Sequence, residues 1–200
     1  METIPVLTAI RYALLKHQGQ QRNSANEGQF VPYMVHPIEV ATILVENGIK
    51  NPTVLQAAIL HDILEDTDVN CMTLRKKFGE AVTNIVEELT DDPKLTGLER
   101  KDAQIKRSVT YSWEAASIKV ADKTSNLRDL LRLTPNWKPG SFGGYTRSAG
   151  RLVSMIARHQ TVKVPSTLFE TFWNAHKDAL EYTDRLDARQ NKQDASGKRI

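Results

Sequence analysis

The sequence predicts an all-α fold, and three observations carry that expectation. Apolar residues recur at helical spacing through most of the chain, as with Leu7, Ile10, Leu14 and Leu15 near the start and Leu127, Leu130 and Leu131 further on. No stretch alternates apolar and polar residues well enough to read as a strand, and there is no internal repeat or glycine-rich phosphate loop. Glycine, proline and asparagine fall between the periodic segments, at Gly19, Asn47-Gly48, Asn51-Pro52, Gly79, Pro93 and Thr134-Pro135. With 200 residues, 40% hydrophobic and 26% charged, the chain has the material for one globular domain with a core.

In order, Thr3 or Pro5 starts a helix over residues 6–18, with His17 near its end. Gly19 to Gly28, polar and rich in Gln and Asn, reads as a loop. It carries Arg22, an exposed cation that is either a ligand contact or plain solubility. Pro37 holds His36 extended and suits the first turn of a helix to about Val45. A lone histidine at a helix entrance is more often a cap or a packing residue than a ligand. Asn47-Gly48 ends that helix and Asn51-Pro52 opens the next. Met72–Phe78 and Ala81–Leu89 form helices on either side of a break at Gly79, and Thr90 to Gly97 is a loop. Leu98 to about Val109 is a charged, solvent-facing helix, and Ser112 or Ser117 caps an apolar one through Leu131. Asn136 to Gly144 is a loop with Trp137, and Tyr145–Arg158 and Ser166–Tyr182 are the last helices. From Thr183 the chain is polar, with five basic and three acidic residues, so residues 183–200 are expected as a frayed tail after a domain of residues 1–182.

Composition removes several classes of function. Lys+Arg 27 against Asp+Glu 24 gives +3, too mild a charge to argue for nucleic acid. The single cysteine, Cys71, leaves no disulfide framework and no thiolate zinc cluster. No apolar run is long enough to cross a membrane, and Met1 to Pro5 does not open a signal peptide, so a cytoplasmic protein is expected. The sequence leaves an oligomer open.

The chemistry concentrates in Leu60-His61-Asp62-Ile63-Leu64-Glu65-Asp66-Thr67. At 3.6 residues per turn His61 shares a helix face with Glu65, and Asp62 with Asp66. Polar groups gathered at the end of the apolar run Ala57-Ala58-Ile59-Leu60 cost free energy unless something binds them. A divalent cation taking imidazole and carboxylate ligands would do so. An acidic cluster alone would be a solvated helix end; the adjacent His-Asp pair favours the metal. Asp122 interrupts the apolar face of the later helix, with Asn126 one turn on. It needs a partner, either an arginine or lysine or a metal.

Three segments then resemble, in order, the motifs of one family. Val31-Pro32-Tyr33-Met34-Val35-His36-Pro37 is similar to a Pro-Tyr-x-x-His-Pro segment, and His61-Asp62-Ile63-Leu64-Glu65-Asp66-Thr67 to a His-Asp-x-x-Glu-Asp-Thr segment. Ile118-Lys119-Val120-Ala121-Asp122-Lys123-Thr124-Ser125-Asn126-Leu127-Arg128 is similar to a Lys-Leu-Ala-Asp-(Lys/Arg)-x-x-Asn-(Leu/Met)-Arg segment. The chain thus resembles the HD-domain superfamily, in the small alarmone hydrolase form of the RelA/SpoT homologues and closest to the metazoan SpoT homologue type. The likeness covers roughly residues 8 to 160.

The resemblance implies a single HD-domain bundle of about eight to ten helices. It implies one divalent cation, usually Mn2+, on His36, His61, Asp62 and Asp122; His36 enters that set on the resemblance alone. Glu65 would be the general base or water-positioning group, with Asp66 assisting. Arg22 would stack on a purine, with Lys119, Asn126 and Tyr145 also at the substrate. The implied reaction removes the 3′-pyrophosphate of guanosine tetra- or pentaphosphate, (p)ppGpp, leaving GDP or GTP. The expected partner is therefore a purine alarmone nucleotide, with no nucleic acid and no membrane.

Four departures bear on the substrate. Asn23 follows Arg22 where the family often has lysine, Gly97 stands where the metazoan form has lysine, Ser141 falls near another cation's position, and Thr124-Ser125 replaces an apolar-aromatic pair. They keep (p)ppApp, and NADPH losing its 2′-phosphate, as alternative substrates of the same site. A non-catalytic nucleotide-sensing helical module is the alternative from another class. Glu65-Asp66 argues against it, because a pure binder has little need of a base beside a metal.

Overall fold

The computed structural model describes residues 3–22, 30–133, 141–159 and 163–197, with Thr3 and 187–197 as backbone alone. Its helices are α1 (Thr3–Lys16), α2 (Val35–Glu46), α3 (Pro52–Leu60), α4 (Ile63–Asp66), α5 (Cys71–Leu89), α6 (Gly97–Arg107), α7 (Trp113–Leu133), α8 (Ser141–His159) and α9 (Ser166–Gly197), with a 3-10 turn at Ser108–Thr110. The described residues hold no strand, only an isolated antiparallel bridge between Gln21 and Pro32. Arg22 N donates to Val31 O and Tyr33 N to Gln20 O, so the bridge places Arg22 and Tyr33 side by side at the entrance to α2.

The helix starts follow from local chemistry. Asn51 Oδ1 accepts from Thr53 N with Pro52 in the first turn, and Asn70 accepts from Thr73 N ahead of α5. Ser112, not Ser117, serves the start of α7: its Oγ accepts from Ala115 N, while Ser117 donates to Trp113 O inside the helix. Gly79, at φ 81° and ψ 172°, turns α5 into two segments through a conformation that a side chain would strain.

α7 is the axis of the bundle. It buries Ala115, Ala116, Ile118, Val120, Ala121, Leu127 and Leu130 and packs against α2, α9, α5, α3 and α8. Asp122 therefore enters the interior from the best-covered helix, opposite α2 and α3, which bring His36 and His61. α6 buries no residue, as its charge pattern predicts.

In α1 the inward side is Ala9 and Ala13, while Leu7, Leu14 and Leu15 are exposed; small residues let the helix sit close on α3. Three expectations are corrected. α3 ends at Leu60 and helix resumes only at Ile63, because His61 Nδ1 turns back to the carbonyl of Ala58. α8 starts a turn early, at Ser141, and takes in Gly143, where the Arg147 guanidinium fills the place of a side chain. α9 does not end at Tyr182: Thr183 is buried, and the helix formers after it carry the backbone to Gly197. Asn23, Trp137 and the loop segments 23–29 and 134–140 lie outside the described residues. No helix among the described residues is long and apolar enough to cross a membrane.

Candidate metal centre and active site

His36 sits in the first turn of α2, His61 and Asp62 on the turn between α3 and α4, and Asp122 near the middle of α7. Ligand atoms of His36, His61 and Asp62 all lie within 4.8 Å of one another. Asp122 approaches one member of that group, with Oδ1 3.3 Å from His36 Nε2. His61 Nε2 is 3.0 Å from Asp62 Oδ2, and His36 Nε2 is 3.9 Å from the same oxygen. Both imidazoles are almost fully buried.

The protons on these rings can be assigned from their neighbours. His61 Nδ1 lies 2.8 Å from the carbonyl oxygen of Ala58, which only accepts, so Nδ1 carries the hydrogen. In the neutral ring the Nε2 lone pair then faces Asp62, and this buried nitrogen has no hydrogen-bond partner of acceptable geometry. Burial alone would raise both carboxylates, yet the charge of His61 holds Asp62, and that of Lys123 holds Asp122, below the usual range. Burial lowers His36; it also works to lower His61, but Asp62 and Asp122 outweigh it and leave that ring raised. An orphaned imidazole nitrogen among ionised carboxylates is a demand for positive charge, and two nitrogens with carboxylate oxygens suit a divalent cation. The residues present fit a metal.

Tyr33 was not singled out by the sequence. Its hydroxyl donates to Asp62 Oδ2, and burial, with the charge of Asp62, pushes its pKa far up, so it stays a donor. His17, buried at the end of α1, stacks on Tyr33 at 4.7 Å, and its Nδ1 meets Gln20 Oε1. Gln20 Nε2 in turn donates to the backbone oxygen of Asp66.

Glu65 and Asp66 lie at the exposed rim. Glu65 Oε1 accepts from Asp91 N at 2.7 Å. Desolvation, together with the charges of Asp62 and Asp91, raises Glu65 in spite of that N–H; desolvation and Asp62 raise Asp66. Arg107 organises the Asp91 loop, donating to Thr90 O at 2.8 Å and to Asp91 Oδ1 at 2.6 Å.

Arg22 is not the exposed cation the sequence suggested. It is 17% exposed and folded onto α7, with Nε 2.9 Å from Asp129 Oδ2 and Nη2 2.7 Å from Asn126 Oδ1. Two acceptors about one turn apart on the same face of α7 capture the planar guanidinium, which lysine could not match. Asn126 passes the contact on, its Nδ2 donating to Asp122 Oδ1. Lys119 is buried with Nζ 3.7 Å from Asp122 Oδ2, and Lys123 comes closer, at 3.1 Å. Lys123 Nζ also lies 5.9 Å from the centre of the Tyr145 ring. Lys123 and Tyr145 line a cavity of about 260 Å³ with Arg100, Lys101 and Gln104. The structure thus gathers His36, His61, Asp62, Asp122, Asn126, Lys119 and Arg22 into one connected site, with Glu65 and Asp66 at its rim and Tyr145 beside its cationic cavity.

Known proteins resemble this chain in sequence and in fold. The chain matches the HD domain family over residues 9–140. It is 44% identical over 173 residues to mouse guanosine-3′,5′-bis(diphosphate) 3′-pyrophosphohydrolase MESH1, covering 84% of this chain and 95% of that one. To the Xenopus tropicalis MESH1 it is 42% identical over 150 residues, covering 74% and 82%. A solved structure of a metazoan orthologue of SpoT that hydrolyzes ppGpp superposes with a TM-score of 0.76 at 38% identity, over 86% of this chain and 95% of that one. An HD domain implies a divalent metal, and His36, His61 and Asp62 are placed to hold it. On matches that span most of both partners, the chain belongs to the HD-domain family, in the branch of the MESH1 proteins.

Proposed function

We propose that this protein is a metal-dependent (p)ppGpp 3′-pyrophosphohydrolase, with Mn2+ as its ion. The observation that carries the reading is the convergence of two imidazoles and two ionised carboxylates beside a rim carboxyl of raised pKa, in a relative of enzymes named for that reaction. His36, His61, Asp62 and Asp122 would hold the cation. When bound, it supplies Lewis-acid charge to a phosphoryl oxygen and lowers the pKa of the attacking water.

The chain's own groups do the rest. Glu65 takes the proton of the water that attacks the phosphorus on the ribose 3′ oxygen. The bond from that phosphorus to the 3′ oxygen breaks, and the departing oxygen takes a proton from solvent to become the ribose 3′ hydroxyl as pyrophosphate leaves. Its Oε1 is engaged by Asp91 N, which leaves Oε2 for that proton. A carboxyl raised toward neutrality is a better base than an ordinary one. Asp66 assists from the same rim. Tyr33 steadies Asp62 and Asn126 steadies Asp122, so neither carboxylate has to reorganise. Lys119, with Lys123 and the cavity beside Tyr145, meets the phosphates, and Arg22 offers a guanidinium face to the purine. The proposed setting for work on a purine alarmone is the cytoplasm.

The test is a parallel incubation of the Mn2+-loaded protein with ppGpp, ppApp and NADPH, with the products resolved. Pyrophosphate and GDP from ppGpp, in preference to the others, is the expected result. Preferred release of pyrophosphate from ppApp, or of phosphate from NADPH, would move the substrate within the same site. Tight nucleotide binding with no release would overturn the enzyme reading.

A further inference from the structure

The two imidazoles at the metal site are oriented in different ways. His61 gives its Nδ1 hydrogen to its own helix, at Ala58 O. His36 does not: its Nδ1 lies 3.0 Å from Ser125 Oγ, on α7. Ser125 Oγ is 3.1 Å from Glu39 Oε2, one turn beyond His36 on α2. Glu39 Oε1 accepts from Arg132 Nη1 at 3.0 Å, with Arg128 Nη1 at 3.5 Å.

Proton counting fixes the direction of this chain. Glu39, paired with Arg132 and Arg128, offers acceptor oxygens, so Ser125, with one hydrogen to give, donates to it. The serine oxygen must then accept from His36, which places the hydrogen on Nδ1. The lone pair of Nε2 is thereby aimed at Asp122 Oδ1 and Asp62 Oδ2. Ser125 also departs from the habit of its neighbours. Thr42, Thr83, Ser117, Thr124 and Thr146 each return their hydroxyl to a carbonyl one turn back in their own helix. Ser125, fully buried, reaches across to α2 instead.

We propose that Ser125, backed by Glu39 and Arg132, is the positioning residue that holds His36 in the Nδ1–H tautomer with Nε2 presented to the metal. The inference rests on reading His36 as a ligand, and the outcomes below separate the two. Outer groups that orient a ligating histidine typically change metal affinity by about 10–100-fold when removed.

The experiment titrates metal-stripped full chain with Mn2+ by calorimetry, in wild type, Ser125→Ala, Ser125→Thr and His36→Ala. It also reads the ring nitrogens of His36 in the metal-free wild type by 15N NMR. Support is an Nδ1–H tautomer, a Ser125→Ala loss of about 10–100-fold in Mn2+ affinity, and recovery in Ser125→Thr, which keeps the hydroxyl. A merely structural serine would lower the melting temperature and leave Mn2+ affinity unchanged, which overturns the proposal. An Nε2–H tautomer overturns it too, and needs no variant to fold. If His36→Ala binds Mn2+ like wild type, the ligand reading itself falls and takes this inference with it.

Discussion

The backbone N–H of Asp91 donates to Glu65 Oε1 at 2.7 Å, tying the acid that follows the His-Asp pair to a loop 26 residues further along the chain. That bond survives in Glu65→Gln, because the amide oxygen still accepts. The variant should therefore keep its fold and its metal while losing about 10²–10⁴-fold in kcat, the usual contribution of a general base. Near wild-type kcat would remove Glu65 from the chemistry.

The pH dependence of the same group has a fixed sign. Its folded pKa is raised above the ordinary 4.5, chiefly by desolvation. Stability from Glu65 is thus present below its unfolded pKa and lost as pH rises through the folded value. At neutral pH Glu65→Gln should melt no lower than wild type, and any gain should vanish as pH falls below the unfolded value. In the wild-type enzyme the acid limb of kcat should lie above that of an ordinary glutamate. A thermal melt series and a pH–rate profile check the two limbs; a variant that melts markedly lower at neutral pH would show that its charge stabilises the fold.

Arg107 lies outside the three motifs, yet it braces the loop that holds Glu65 through Thr90 O and Asp91 Oδ1. Replacing it with methionine keeps bulk and removes both donors. Hydrogen bonds to charged groups contribute about 1.5–3 kcal/mol, so a loss of that order is expected in denaturant unfolding. The kcat should fall with Mn2+ affinity unchanged, since no metal ligand is touched. Unchanged kcat in a folded Arg107→Met would mean the loop does not need bracing.

How much of this was legible in the sequence depended on distance along the chain. Asn51-Pro52 and Gly79 punctuate helices through their own backbone chemistry, so they could be read locally. His61, Asp62 and Asp122 stood out because buried polar groups in apolar helices need partners. The contacts of Tyr33 with Asp62, of Arg22 with Asp129 and of Ser125 with Glu39 span 29, 107 and 86 residues, and no local pattern announces them. The inward face of α1 is equally non-local: leucine spacing reports helix, but packing on α3 selects the side with alanines.

The orphaned Nε2 of His61 makes metal binding a stability question as well as a catalytic one. Mn2+ at about 100 times its Kd should stabilise the folded chain by about 2.7 kcal/mol through mass action. Chelation should reverse the gain, and His61→Ala should abolish it. Both imidazoles must be neutral to bind. Because His61 is raised by Asp62 and Asp122 against the pull of burial, affinity should begin to fall at a higher pH than an ordinary histidine would dictate. Melting curves with and without Mn2+ across pH read this directly; a shift that persists in His61→Ala would place the ion elsewhere.

Arg22 acts in two directions, and a double-mutant cycle can separate them. Toward the substrate, its guanidinium face would stack on the purine, a contact worth roughly 0.5–2 kcal/mol. Toward the metal, Nη2 fixes Asn126 Oδ1 and so keeps Asn126 Nδ2 on Asp122. Arg22→Ala should therefore raise KM by several-fold and lower kcat as well, since the asparagine amide becomes free to turn. In an Asn126→Ala background the kcat effect of Arg22→Ala should disappear while the KM effect remains, because only the first role is left to lose. Arg22→Lys should restore neither fully, as an ammonium cannot reach Asp129 and Asn126 with one planar fork. Unchanged KM in Arg22→Ala would strike out the stacking role, and a kcat effect that persists without Asn126 would strike out the relay to Asp122.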